Sequence, residues 1–137
     1  MKQNNHTGQE MPSRLSNLWI FLIFNMAFAD IFSFMNPGSL QQMMSGVVDG
    51  TQITSGFLLI AAIVTEIPIA MVFLSRFLKY AANRWINISG SILTILWVIA
   101  GGSWSVPTYI FFTAIEIICA LVILWMAWTW RTPEFQS

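Results

Sequence analysis

Three carboxylic acids, Asp30, Glu66 and Glu116, lie inside long apolar runs with no Lys, Arg or His at their depth. A carboxyl group at the centre of a membrane helix costs about 2.5–3.5 kcal/mol on insertion scales. Three of them would come to roughly 8–10 kcal/mol if additive, which rivals the whole stability of an ordinary domain, about 5–15 kcal/mol. Such groups are expected to point inward rather than toward lipid. With no internal cation to neutralise them, three states stay open: protonated acids, acids facing a water-filled cavity, or acids paired with a cation from outside. Two carboxyls in unlike surroundings could also divide the roles of acid and base.

Other polar groups are placed to line the same space. Asn87, Ser91 and Thr94 follow i, i+4, i+7 spacing and so share one helix face. Asn25 lies near the middle of the first apolar run, but five residues from Asp30 and therefore on a different face. Pro68 removes the amide that would bond the carbonyl of Val64, which leaves a free acceptor one turn from Glu66 and predicts a kink. The plainer alternative is that these polar groups join helices to one another, as they do in many membrane bundles. Glu116 would then bond Asn87 or Thr94, while Ala62, Ala70, Ser89, Gly90 and Ala120 allow close packing. Cys119 reads as a packing residue, and His6 lies far from the acids. No His or Cys cluster is present, so neither a metal nor another cofactor is expected. No phosphate loop, triad or zinc motif is found.

The elements that must position these groups are apolar helices. The 137 residues are 56% hydrophobic and 9% charged. Soluble domains carry about 25% charge, so a chain this poor in it must give much of its surface to lipid. Four apolar runs, at about 18–35, 55–78, 85–101 and 108–130, have the length of roughly 17–25 residues that a helix needs to cross a bilayer. Alternation with period two is absent, which argues against a β-barrel. Asn36-Pro37-Gly38, Asp49-Gly50-Thr51, Tyr80–Arg84 and Gly101-Gly102-Ser103 read as the breaks between them, and Pro107 suits the first turn of the fourth. Ser39 could cap a short helix carrying Leu40, Met43 and Met44 on one face, lying on the membrane surface or, alternatively, closing over a cavity.

The expected fold is therefore all-α: a four-transmembrane-helix bundle with a short interfacial helix between spans one and two. Residues 16–131 would form the membrane domain, flanked by polar tails at 1–15 and 132–137. The polar start has no apolar core of a signal peptide, so the first run is read as a retained span. All six basic residues, Lys2, Arg14, Arg76, Lys79, Arg84 and Arg131, fall on one side of this arrangement. The positive-inside rule then places both termini in the cytoplasm. Trp19, Tyr80, Trp85, Trp128 and Trp130 would form the aromatic belt on that side, with Trp104 and Tyr109 on the other. By helical rise, Asp30, Glu66 and Glu116 would lie roughly 9, 16 and 12 Å below the outer ends of their spans, close enough in depth to meet.

The segments Ala62–Arg76, Asn83–Ile88 and Tyr109–Ile117, with Ala29-Asp30-Ile31, resemble a family of small four-span bacterial membrane proteins of unknown function. The resemblance covers about residues 15–131. It implies four helices and an address in the bacterial inner (plasma) membrane, and it brings no catalytic assignment. More distantly, the architecture is similar to DoxX-like and sterol-isomerase-like four-helix membrane bundles, some of which bind lipophilic amines or sterols through acids. No motif matches those bundles residue by residue.

Function is then expected to follow the acids. The leading expectation is a membrane protein that binds or moves a small lipophilic or cationic molecule. Its ligand-binding residues would be Asp30, Glu66, Glu116, Asn87, Ser91, Thr94 and Asn25, with aromatic side chains as walls. Small multidrug exporters also place a Glu in four spans, but their weak charge bias differs from the one-sided bias here. The alternatives are a structural or accessory subunit, assembling with itself or a larger complex, and an isomerase acting on a membrane-soluble substrate. Partners are the lipid bilayer, that small molecule and a second copy of the chain. Net charge is zero and no basic run exists, so nucleic acid is not expected.

Overall fold

The structure, a computed structural model, describes residues 7–131, with side-chain surroundings from Glu10 onward. Lys2, His6 and the 132–137 tail fall outside the described residues. The described chain runs α1 (Thr7–Met35), α2 (Ser39–Ser45), a short antiparallel pair β1 (Val47–Val48) and β2 (Thr51–Gln52), α3 (Ser55–Phe77), α4 (Tyr80–Ala100) and α5 (Pro107–Thr129).

The ends of these helices follow from local chemistry. Thr54 caps α3 by accepting the Phe57 amide at 3.1 Å, and Pro107 opens α5 where an amide would lack a partner anyway. α2 starts after Gly38 rather than being capped by the Ser39 side chain: Gly38 is the cap residue, at φ 88°. The β1–β2 turn puts Asp49 at φ 49° and Gly50 at φ 79°, the pair of positive angles that a two-residue hairpin with native twist demands. α3 runs through Pro68 as one continuous helix. α1 begins well before its apolar run. Met11, Leu15, Trp19 and Leu22 recur at helical spacing and join the core, so the polar start is drawn into the helix by its two apolar residues.

α1 packs between α3 and α5, and α4 packs between the same two, so α1 and α4 stand on one diagonal of a square bundle. Successive long helices alternate in direction. Arg76 of α3 reaches Ser16 of α1, Tyr80 at the start of α4 reaches Trp130 after α5, and Arg84 reaches Ala127. These contacts gather the described basic residues at one end, here termed the basic end. The hairpin and the α4–α5 loop share the far end, where Ser103 donates to Asp49 at 2.8 Å.

The core of Leu15, Trp19, Leu22, Met71, Cys119, Ala120 and Ile123 occupies the basic half. Around it the outer surface is apolar, with Phe24, Leu59, Phe73 and Trp125 among many large side chains left exposed. A surface like this suits lipid rather than water. α1 (from Glu10), α3 and α5 are long and apolar enough to cross a membrane. These are three such helices, not the four expected, and the difference lies in α4. It has 21 residues, but its inner face carries Asn83, Asn87, Ser91 and Thr94.

Candidate functional site

The polar side chains of α4 form a buried file. Asn83, Asn87, Ser91 and Thr94 follow one another on a single face and are all buried. In the basic half this file is closed by hydrogen bonds that reach every long helix but α5. Trp19 Nε1 of α1 donates to Asn87 Oδ1 at 2.7 Å, and Ser75 Oγ of α3 donates to the same oxygen at 3.2 Å. Asn87 Nδ2 donates to the carbonyl and to the Oδ1 of Asn83, at 2.8 and 2.7 Å. Asn83 Nδ2 in turn donates to the Ser75 carbonyl at 2.6 Å, and Ser91 Oγ to the Asn87 carbonyl at 2.7 Å. Both ends of the Asn87 amide are thereby satisfied. Beside this network, Ser16 Oγ donates to the Val72 carbonyl at 2.8 Å and accepts from Arg76 Nε at 2.9 Å. α5 is tied in by Arg84, which donates to the carbonyls of Ala127 and Trp128 at 3.2 and 3.0 Å.

Farther along, the pairing stops. Thr94 Oγ1 and Glu116 Oε1 are buried with no hydrogen-bond partner. The Arg84 contacts fix the antiparallel register of α4 and α5. Counting equally along both helices from Arg84 and Ala127 brings Glu116 level with Ile95, one residue from Thr94. The two unpaired oxygens therefore sit at one depth on two helices that pack together, about 9 Å from the far end of α4 and about 13 Å from that of α5 by helical rise. Thr113, also buried, lies one turn from Glu116 toward the far end. The carboxyl of Asp30 on α1 is within Coulombic reach of Glu116 and of Tyr109. Phe32 of α1 and Phe112 of α5 pack with ring centres 5.6 Å apart, one turn on the far side of Glu116.

A buried carboxyl oxygen and hydroxyl without partners are unusual, because such groups cost about 1–3 kcal/mol each when left unpaired. An ionised carboxyl lacks a donor and the hydroxyl lacks a partner of either kind; a protonated amine supplies up to three donors together with a positive charge. Among the described residues, no group of His, Cys, Asp and Glu is arranged to hold a metal ion.

The profile of a family of unknown function, DUF6326, matches residues 2–137. The chain belongs to that family. Comparison with curated proteins and with solved structures finds no match. For this DUF6326 chain the family match carries no activity, and the site has to be read from its own geometry.

The DUF6326 structure divides the acids that the sequence places together. Glu116 points inward and is 4% exposed. Glu66 and Asp30 do not: both are exposed. The buried face of α3 is set by Pro68, Met71 and Ser75, and Glu66 lies two residues from Pro68, on the opposite side of the helix. On α1 the inward residue is Ala29, and Asp30 is turned one residue away from it. Asn87, Ser91 and Thr94 do share the inner face of α4. Asn25 is half-buried and donates to the Phe21 carbonyl of its own helix at 2.9 Å. Glu116 does not bond Asn87, whose hydrogen bonds are taken by Trp19, Ser75 and Asn83. A depression at the far end is lined by Phe34, Pro37 and Leu40 and by none of the three acids.

Trp19 corrects the reading of the aromatic belt. It is wholly buried and serves the Asn87 network, whereas Trp85, Trp104 and Trp128 are exposed. Of the small residues, Gly90 and Ala120 are packed inside, while Ala62 and Ser89 are exposed. Asn83, Ser16 and Ser75 are network members that sequence reasoning misses. Asn83 falls one turn before Asn87 on the same face, a signal present in the spacing. Nothing local marks Ser16 or Ser75.

Proposed function

We propose that this chain is a four-span integral membrane protein of the plasma membrane, with both termini in the cytoplasm, that binds a small lipophilic amine in the far half of its bundle. α4 serves as the fourth span. Its 21 residues give roughly 31 Å, enough for the ~30 Å hydrocarbon core, and its polar groups face the other helices rather than lipid. The basic end takes the cytoplasmic side because the described arginines gather there.

The observation that carries the ligand reading is the pair of unpaired buried oxygens, Thr94 Oγ1 and Glu116 Oε1, at one depth on α4 and α5. A protonated amine would donate to both, with the Glu116 carboxylate as countercharge. Asp30, exposed on α1 and electrostatically coupled to Glu116, would meet the ligand on its way in from the bilayer. The Phe32–Phe112 pair would supply an apolar wall. Glu66 has no part in this site.

The test uses dansylcadaverine, a fluorescent lipophilic primary amine, titrated into the purified protein in detergent. Glu116→Gln is expected to weaken binding by about tenfold or more, given about 1.5–3 kcal/mol for a hydrogen bond to a charged group. Asp30→Asn should weaken it less, and Glu66→Gln should leave it unchanged. Wild-type affinity in both Glu116→Gln and Asp30→Asn would overturn the reading. A structural or accessory role is the second reading, favoured by the closed network around Asn87. It expects Glu116→Gln to alter stability alone.

A further inference from the structure

Glu66 is the twelfth residue of an apolar helix of 23, and it faces away from the bundle. α3 is also the least covered of the apolar helices. Of its most apolar stretch 11% of the residues are buried, against 33% for α5. With α3 crossing the bilayer as proposed above, a carboxyl group would stand in the middle of the hydrocarbon, on the side turned to lipid. That position is among the most costly a carboxyl can take.

The residues around it form a stripe. Leu59, Ala62, Glu66, Ile69 and Phe73 alternate steps of three and four, so they lie along one line of α3, and all are exposed. This is the spacing with which one helix seats against another. Ala62, one turn from Glu66, lets a second backbone approach where the acid is.

We propose that this stripe is a dimer interface, occupied by α3 of a second copy of the chain, with the two Glu66 carboxyls hydrogen-bonded across the axis. The choice of occupant follows from symmetry and chemistry. Copies inserted in the same orientation are related by an axis along the membrane normal, so a residue at mid-depth meets itself. A side chain that carries both a donor and an acceptor can pair with its own copy in lipid. A carboxylic acid does so in the protonated form: it carries one O–H donor and one carbonyl acceptor, so two of them close a ring of two hydrogen bonds. Glu66 then needs no cation, and none is found on the described apolar surface of α3. The proposal depends on α3 spanning the membrane and is independent of the amine site.

The experiment measures self-association of the full chain by Förster transfer in liposomes, diluting the protein into increasing lipid. Wild type is expected to dimerise, and Glu66→Leu to raise the dissociation constant about tenfold, the scale of a strong interhelical hydrogen bond in lipid. Glu66→Gln, whose amide also donates and accepts, should keep dimerisation within about threefold of wild type. In a Cys119→Ala background, Ala62→Cys should form a disulfide dimer under oxidation, while Ile118→Cys on the lipid face of α5 should not. Near-ultraviolet circular dichroism of the Trp19 core checks that each variant is folded, without relying on ligand. A monomeric wild type, or a folded Glu66→Leu that dimerises as tightly as wild type, would overturn the proposal. Retained dimerisation with absent dansylcadaverine binding would instead count against the amine site alone.

Discussion

The two halves of this bundle treat buried polar groups in opposite ways. At the basic end Trp19, Ser75, Asn83 and Asn87 exchange hydrogen bonds across α1, α3 and α4. At the far end Thr94 and Glu116 are buried just as deeply and left without partners. The same helix, α4, feeds both halves from one face. The difference therefore lies in what the neighbouring helices present: a tryptophan and a serine in the basic half, and, besides Thr113 and Glu116 of α5, mostly apolar surface in the far half. A closed network fixes how helices meet. An unpaired hydroxyl and carboxyl leave hydrogen-bonding capacity that a ligand would complete.

The largest expected effect comes from breaking the closed half. Asn87→Ala would orphan Trp19 Nε1, the Ser75 hydroxyl and Asn83 Oδ1 together. At about 1–3 kcal/mol per buried unpaired group, reduced by the weaker worth of such bonds in membranes, the loss is about 2–4 kcal/mol. Unfolding in detergent by heat or by titration with dodecyl sulfate would measure it. A loss below about 1 kcal/mol would mean that the network is not what holds α1, α3 and α4 in place.

The second effect should have the opposite sign. Glu116→Leu removes an unpaired buried acid and replaces it with a side chain that suits the interior, so stability is expected to rise by about 1–2 kcal/mol while amine binding is lost. One polar deletion that destabilises and another that stabilises, on two helices that pack together, would express the contrast between the halves directly. If Glu116→Leu destabilises instead, the acid has a partner in the folded protein and the far half is closed like the other.

Much of this architecture is legible in the amino-acid sequence. The long helices announce themselves by apolar length, the breaks by glycine and proline, and the stripe Asn87, Ser91, Thr94 by its period. Direction is the part that is not legible. α1 and α3 are apolar on nearly every side, so no polar face tells which way they turn, and the cost of a carboxyl in lipid points Asp30 and Glu66 inward. That inference holds for an isolated chain only. An acid on the outer face is also spared lipid when another chain covers it, which is the case argued for Glu66. Trp19 departs from expectation for a related reason. A tryptophan near a helix end is usually an interfacial anchor, but here an asparagine on the diagonal helix offers its indole N–H an acceptor.

The smallest expected effect lies where the two halves join. Gly90 sits between Asn87 and Ser91 in sequence, and a Cβ there would meet Met71 Cγ at 3.4 Å and Trp19 Cζ2 at 3.5 Å. Those are ordinary contact distances, so Gly90→Ala should fit without moving either side chain. Replacing glycine with alanine in a helix interior favours folding by about 1 kcal/mol in isolation. With no crowding to offset it, a net stabilisation of about 0.5–1 kcal/mol is expected. Gly90→Leu, by contrast, would push on the Trp19 ring that donates to Asn87, and overpacking of this kind costs about 1–3 kcal/mol. The informative measurement is the pair. If Gly90→Leu destabilises while amine binding stays near wild type, the halves are mechanically separate. If binding falls in step with stability, the closed network also sets the spacing of α4 and α5 around Glu116.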